Sequence, residues 1–130
     1  MISTELKNSM GIHHIVLTVV DAQETEKFYT KIFGKPNHAN PHAAIYSVRQ
    51  TLVIFTQKDK KNPISEKFDP TVIGLEHLAF GLKNLEELQQ VEKVLTENQI
   101  EHSGIHIDKS SGKEKIWLND PSNIRIEFYL

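Results

Sequence analysis

Two stretches of the chain alternate apolar and polar residues, and each is followed by apolar residues at helical spacing. Residues 12–20 and 75–82 are rich in Val, Ile, Leu and Phe and have the length of strands. Asp21 and Asn84 follow them and are good N-cap residues. The later apolar residues predict one helix after each strand. They are Phe28, Ile32 and Phe33 in the first stretch and Leu85, Leu88, Val91, Val94 and Leu95 in the second.

The two stretches are copies of one repeat. Gly11 matches Gly74 and His14 matches His77, both at an offset of 63 (74 minus 11, and 77 minus 14). Three shorter strands are predicted after each helix, which gives an α+β fold of two βαβββ modules related by a pseudo-two-fold axis. The strands fall around 36–40, 43–49 and 51–57 in the first half, and around 101–107, 114–119 and 123–129 in the second.

The boundaries follow from the polar segments. Residues 1–130 are expected to form one domain, with module one at 11–57, a polar linker at 58–72 that holds two prolines, and module two at 73–130.

Composition removes several classes of function. A formal net charge of −2 offers no broad surface for nucleic acid or an anionic membrane. The absence of cysteine excludes disulfides and thiolate metal sites. No apolar run approaches the roughly 18 residues of a membrane span, and residues 1–10 do not resemble a secretory signal. A cytoplasmic protein is therefore expected. Histidine, the commonest metal ligand, occurs seven times.

Strand alternation predicts that His14, His77 and Glu127 converge. Each lies on the face of its strand opposite to the bulky apolar residues that would pack against a helix. The pseudo-two-fold axis would bring the two histidines together, and Glu127 lies on the same kind of face in the last strand. A lone strand histidine is more often structural. The repeat equivalence of the two histidines instead favours a facial triad for one divalent metal ion.

The chain resembles the vicinal oxygen chelate superfamily, which includes glyoxalase I, extradiol dioxygenases, fosfomycin-resistance thiol transferases, methylmalonyl-CoA epimerase and bleomycin-resistance proteins. The resemblance covers about 120 residues and rests on GIHHIVLTVVD, FYTKIFG, GLEHLAF and the closing KIWLNDPSNIRIEFYL. It implies a cup-shaped mixed sheet with a helix packed on each module. It also implies that His14, His77 and Glu127 are metal ligands.

One position departs from the four-ligand members of this family. Matching LVIFT at 52–56 to RIEFY at 125–129 places Ile54 opposite Glu127, and Ile cannot bind a metal. The remaining three-ligand set resembles extradiol dioxygenases and fosfomycin transferases more than glyoxalase I. The ion is Fe, Mn, Zn, Ni or Co, because ligand type alone does not choose among them.

Other residues near the predicted site have weaker assignments. Tyr129, which shares a face with Glu127, and His106 are candidate catalytic groups. Arg125 and Lys115 are expected to be solvated rim residues, Tyr46 is a candidate counterpart of Trp117, and strand alternation points His13 and Glu76 away from the ligands. His102 shares a parity with His106, and the segment 108–114 is either an anion-binding loop or a solvated turn.

The expected function is metal-dependent chemistry on a small molecule whose vicinal oxygens chelate the ion. Dioxygenase-like or transferase-like reactions are favoured over lyase chemistry of the glyoxalase I type. The alternative is a metal-free protein that binds and sequesters a drug, as bleomycin-resistance proteins do. Edge strands left unpaired, and the pairing of modules across chains in this superfamily, predict a homodimer.

Overall fold

The two modules form two mixed sheets of four strands, each with a helix packed on one face. The structure is a computed structural model that describes residues 1–60 and 67–130. Residues 61–66 of the predicted linker lie outside that part. The described elements are α1 (Thr4–Ser9), β1 (His14–Val19), α2 (Ala22–Phe33), β2 (His38–Asn40), β3 (Ala43–Val48), β4 (Thr51–Gln57), β5 (His77–Gly81), α3 (Leu85–Glu97), β6 (His106–Ile107), β7 (Glu114–Asn119) and β8 (Arg125–Tyr129).

The sheets have the same topology. The first has the strand order β1-β4-β3-β2 and the second has the order β5-β8-β7-β6. In each, the first strand runs parallel to the last strand of its module, and the other pairs are antiparallel. This arrangement confirms the predicted α+β fold of two βαβββ modules. It also leaves β1 and β5 at the edge of their sheets.

The helix ends form as the sequence predicts. The Asp21 carboxylate accepts from the backbone N–H groups of Gln23 and Glu24, and the Asn84 side chain accepts from that of Glu87. Gly34 ends α2 with φ of 79°, which a residue without a Cβ adopts at low cost. The repeated strand–cap–helix pattern therefore specifies this part of both modules.

Both helices bury the bulky face of their sheet. Leu17, Val19, Val53 and Phe55 of the first sheet lie in a hydrophobic cluster that also includes residues of the second sheet and both long helices. The opposite faces of β1 and β5 are exposed, as alternation predicts. None of the described helices is long and apolar enough to cross a membrane.

The modules contact each other on the helix side of the sheets. The buried Tyr29 hydroxyl in α2 donates to Asp120 Oδ2 at 2.8 Å, and Ser122 Oγ accepts from the Val20 N–H at 2.9 Å. Phe33 and Phe80 meet edge to face with ring centroids 5.3 Å apart. The turn at 120–123 therefore joins the second module to α2 and to the residues that precede it.

Two local predictions differ from the structure. The sequence pattern does not predict helix α1, a short segment that is capped by Ser3 and buries none of its residues. The strand expected around 101–107 is reduced to His106–Ile107. Ser103 donates its N–H to Trp117 O and accepts from the Trp117 N–H with its Oγ, so a side chain replaces a backbone carbonyl in the ladder. Gly104, with φ of 71°, then turns the chain.

Candidate metal centre

The face of the second sheet opposite α3 carries a regular grid of functional side chains. Directly paired residues share a face of a sheet. Glu127 pairs with Ala79 on one side and with Trp117 on the other. Three rows therefore cross this face, which we call the open face of the second sheet. The rows are His77–Arg125–Asn119, Ala79–Glu127–Trp117 and Gly81–Tyr129–Lys115–His106.

Glu127 is a buried carboxylate with two cationic or potentially cationic neighbours. Glu127 is only 4% exposed although it lies on the open face. Its Oε2 lies 3.5 Å from His77 Nε2, and its Oε1 lies 3.2 Å from Lys115 Nζ. A carboxylate this buried is retained only where charged or hydrogen-bonding partners compensate for lost water. The two partners of Glu127 explain why a Glu is tolerated in the middle of β8.

The other ring nitrogen of each histidine is held by the residue before it. His77 Nδ1 lies 2.9 Å from Glu76 Oε1, and His14 Nδ1 lies 2.8 Å from His13 Nδ1. The prediction that His13 and Glu76 point away from the ligands is therefore wrong. Both precede the first residue of their strand, where alternation no longer fixes direction. In both modules Nε2 is the nitrogen left for a ligand bond.

The two predicted ligands of the second sheet come together, but His14 lies on the first sheet. His14 pairs with Leu52 on the exposed face of β1. Within residues 1–60 and 67–130 no group of three or more His, Asp or Glu side chains is placed to hold a metal ion. The expected convergence of His14, His77 and Glu127 is thus absent within one chain.

The registers of the two sheets agree on the counterpart of Glu127. Val16 pairs with Ile54 in the first sheet, and its repeat partner Ala79 pairs with Glu127 in the second. Ile54 therefore occupies the position of the carboxylate, as the sequence match predicted. It is partly exposed, while its neighbours Val53 and Phe55 are fully buried.

Tyr129 lies at the other end of the open face, in contact with the β6–β7 hairpin. Its hydroxyl contacts Ser111 Oγ and lies 3.2 Å from Asp108 Oδ2. Hydrogen bonds from the Ser110 hydroxyl and N–H hold the pKa of Asp108 well below its ordinary value. The segment 108–114 is thus a turn that contacts the Tyr129 hydroxyl. Lys115 Nζ also lies 3.3 Å from Asp108 Oδ2.

The positions of Lys115 and Tyr46 differ from those that the sequence predicts. Lys115 is not a solvated rim residue, because its side chain is 17% exposed and contacts both Asp108 and Glu127. Burial opposes the charge of Lys115, but these two carboxylates outweigh it and raise the lysine pKa. Tyr46 is buried in the core and pairs with Val53, so the counterpart of Trp117 is Ile45.

His106 and His102 occupy different surroundings. His106 pairs with Lys115 across the sheet, and its Nδ1 lies 3.0 Å from Gly104 O. His102 precedes the strand and contacts Thr96 Oγ1 of α3 at 2.9 Å, so the shared parity expected from a longer strand does not apply. Only His106 lies in a row of the open face.

His77 and Glu127 fit two ligands of one divalent ion. Donors bound at about 2.1 Å, at angles between square and tetrahedral, lie about 3.0–3.5 Å apart. The observed 3.5 Å between Nε2 and Oε2 is at the upper end of that range. An imidazole nitrogen and a carboxylate oxygen also match first-row transition metals. The fit covers two protein ligands in one chain.

Paired βαβββ modules, each with a helix on one sheet face and the other face open, define the class of fold to which this chain belongs. The family model described as "Glyoxalase/Bleomycin resistance protein/Dioxygenase superfamily" matches residues 11–128. The chain therefore belongs to this superfamily, which confirms the resemblance seen in the sequence.

Solved structures agree on the fold. A putative glyoxalase from Bacillus halodurans is 20% identical with a TM-score of 0.81, covering 95% of this chain and 98% of that one. A glyoxalase family protein from Enterococcus faecalis is 23% identical with a TM-score of 0.71, over 95% and 99% of the two chains. Lactoylglutathione lyase from Agrobacterium tumefaciens is 17% identical with a TM-score of 0.68, over 92% of both chains. No curated protein matches.

Proposed function

We propose that the protein is a metal-dependent enzyme acting on a small molecule, with His77 and Glu127 of one chain and His14 of a second copy as metal ligands. The observation that carries this proposal is the 3.5 Å approach of His77 Nε2 to Glu127 Oε2 on an otherwise open face. Glu76, at 2.9 Å from His77 Nδ1, supports it by orienting the ring so that Nε2 is the free donor.

A second copy is the natural source of the third ligand. His14 lies on an exposed strand face, and β1 and β5 each have one edge without a partner in the sheet order. Large apolar side chains lie exposed at β1 and just before it: Ile12 is 62% exposed and Val16 is 52% exposed. Free edges and exposed apolar residues both favour association. A homodimer in which the first sheet of one chain faces the second sheet of the other would complete two triads.

When bound, the ion would supply Lewis-acid stabilisation of charge on a substrate that chelates it through neighbouring oxygens. Ile54 supplies no ligand from the first-module position that corresponds to Glu127, and a set of three protein ligands favours dioxygenase-like or transferase-like chemistry over the glyoxalase I type. Tyr129 is the proposed proton donor or acceptor at the rim, where the contacts of its hydroxyl with Ser111 and Asp108 support the role by holding the side chain in position. His106 is a weaker candidate, separated from Glu127 by Lys115.

Elemental analysis of protein purified without chelators or an affinity tag tests the proposal directly. About one ion of Fe, Mn, Zn, Ni or Co per chain is expected. Glu127→Gln removes the only anionic ligand and keeps the side-chain shape, so its metal content should fall well below half. Unchanged metal content in that variant would rule out Glu127 as a ligand.

Subunit mixing tests the shared site. His14→Ala and His77→Ala should each lose metal alone. After unfolding and refolding together, a mixed dimer would contain one site with both histidines intact and one site with neither. Metal content should then recover in the mixture, while each variant refolded alone stays empty. No recovery in a mixture shown to contain mixed dimers would contradict the cross-chain triad.

A metal-free binding protein is the second candidate. The contact between Lys115 Nζ and Glu127 Oε1 at 3.2 Å favours it, because the lysine already neutralises the carboxylate without any ion. Such a protein would bind and sequester a small molecule between the open faces. Absence of stoichiometric metal, together with wild-type stability in the His14→Ala variant, would favour this function.

A further inference from the structure

Arg125 is a cation of the open face that has no ionic partner among residues 1–60 and 67–130. Its guanidinium carbon lies 4.1 Å from the centroid of the Trp117 ring, which holds it by a cation–π contact. No carboxylate oxygen of the described residues lies within 4.0 Å of it. Lys115, by contrast, contacts two carboxylates. Of these two cations, only Arg125 has its charge available to a ligand.

The guanidinium borders a cavity of about 290 Å³. Asn119 pairs with Arg125 across the sheet, and its Nδ2 donates to Asn123 Oδ1 at 3.3 Å. Glu76 lies on another part of the wall, where its Oε1 is held by His77. The residues that line the cavity are Pro70, Thr71, Glu76, Asn119, Asn123 and Arg125. Polar groups with one unpaired arginine suit a small polar ligand rather than an apolar one.

The cavity adjoins the proposed metal ligands. Arg125 is the direct partner of His77 between β8 and β5, and it lies two residues before Glu127 on the same face. Two residues of a strand span about 7 Å. A molecule the size of one aromatic ring therefore reaches from the His77–Glu127 pair to the guanidinium.

We propose that Arg125 and this cavity form a carboxylate subsite, so that the substrate is an anion with a carboxylate about one ring's width from its chelating oxygens. The planar guanidinium fork binds a carboxylate through two parallel N–H···O bonds. The contact with Trp117 restricts the guanidinium before the ligand arrives, which lowers the entropy lost on binding. The spacing between the carboxylate and the chelating oxygens rests on the metal function proposed above. The carboxylate subsite itself does not.

Calorimetric titration of the purified protein with matched probes tests the subsite. The probes are 3,4-dihydroxybenzoate, which carries vicinal oxygens and a carboxylate, and its neutral amide, 3,4-dihydroxybenzamide. The carboxylate should bind about tenfold more tightly than the amide. In Arg125→Gln that preference should disappear, through a weaker affinity for the carboxylate alone. Arg125→Lys should retain part of it, because the charge remains but the fork is lost.

Arg49→Gln is the matched control, since Arg49 is the only other arginine and lies in the β3–β4 hairpin of the first module. It should keep the full preference. Equal affinity for the two probes in the wild type, binding of neither probe, or a preference that survives Arg125→Gln would each overturn the proposal. A thermal melt of each variant confirms that the fold is kept, and Arg125→Lys retains the test if Arg125→Gln is destabilised.

Benzoate, which has no vicinal oxygens, separates this proposal from the metal function. Weak benzoate binding should be lost in Arg125→Gln and kept in Glu127→Gln. If the metal proposal fails but this pattern holds, the carboxylate subsite stands alone. If 3,4-dihydroxybenzoate binding depends on Glu127 but not on Arg125, the metal function stands and the subsite is wrong.

Discussion

The open faces of the two sheets share one register and carry different chemistry. Where the first sheet pairs Val16 with Ile54, the second pairs Ala79 with a buried Glu127. The first face is thus apolar at its centre, and the second holds a carboxylate compensated by His77 and Lys115. The two modules therefore share a fold and differ most in the chemistry of their open faces. Each module carries part of the proposed metal centre, and neither carries it all.

The helix-packed faces show no such divergence. Leu17, Val53 and Phe55 in the first module and Ile116, Ile126 and Phe128 in the second form one buried cluster. Packing constrains this face in both modules in the same way, because a polar group there is buried and needs an internal partner, as the Tyr29 hydroxyl has in Asp120. Functional differences therefore accumulate on the open faces, where substitution costs little stability.

A pair of substitutions in β4 gives the largest expected effect, on the free energy of unfolding, and tests which face of β4 is buried. Val53→Glu places a charge in the core, where Val53 is 0% exposed, and should lower the free energy of unfolding by about 3–5 kcal/mol. Ile54→Glu faces outward and should cost less than about 1 kcal/mol. It should also tighten metal binding beside His14 and lower activity by filling an open position. Chemical denaturation measures both variants, and equal losses would place Ile54 in the core.

Glu76 and His13, which contact Nδ1 of the two proposed histidine ligands, give the next largest expected effect, on metal affinity. Glu76→Gln removes the anionic partner of His77 Nδ1, at 2.9 Å, and should weaken metal affinity about tenfold. His13→Gln at the equivalent position of the first module should weaken it only a few-fold, since the partner lost from His14 is a second imidazole. Competition with a chelating dye measures both. A larger loss of metal affinity in His13→Gln than in Glu76→Gln would contradict the proposal that Glu76 contributes more to metal binding than His13.

Lys115 should compete with the metal ion for Glu127. Lys115→Met frees Glu127 Oε1 from a contact of 3.2 Å, so metal affinity should rise a few-fold. Without metal, the same variant leaves a buried carboxylate short of a partner and should melt at a lower temperature than the wild type. Lys113→Met, an exposed lysine of the same hairpin, is the control and should change neither value. Weaker metal binding in Lys115→Met would show that the lysine supports the site.

Much of the fold was predictable because two copies of one pattern reinforce each other. The offset that relates His14 to His77 also places both helices, and strand alternation identified the buried and open faces correctly. The match of Ile54 to Glu127 held because both strands keep the same register with their parallel neighbours. In each case the prediction rested on local periodicity.

The failures of prediction have a common cause, which is contact between residues that periodicity does not relate. Glu76 lies before β5, so its contact with His77 depends on a loop rather than on alternation. The general preference of charged side chains for solvent predicts a rim position for Lys115, whereas its two carboxylate partners, Asp108 and Glu127, come from the β6–β7 hairpin and from β8. The pseudo-two-fold axis relates His14 to His77 but does not say that both belong to the same site in one chain.

The hairpin turns give the smallest effect and differ in their dependence on pH. In the first module the Asn40 amide accepts from the His42 N–H at 2.8 Å; in the second the Asp108 carboxylate accepts from the Ser110 N–H at 2.8 Å. The Ser110 hydroxyl and N–H lower the Asp108 pKa below 3.8. The charged carboxylate therefore stabilises the turn above that pH, and this stabilisation is lost as the pH falls towards the lowered pKa.

The Ser110 amide resonance should therefore shift in strong acid, while that of His42 should not move between pH 5 and 2. Asp108→Asn should abolish the Ser110 shift, and a midpoint above pH 3.8 in the wild type would contradict the assignment.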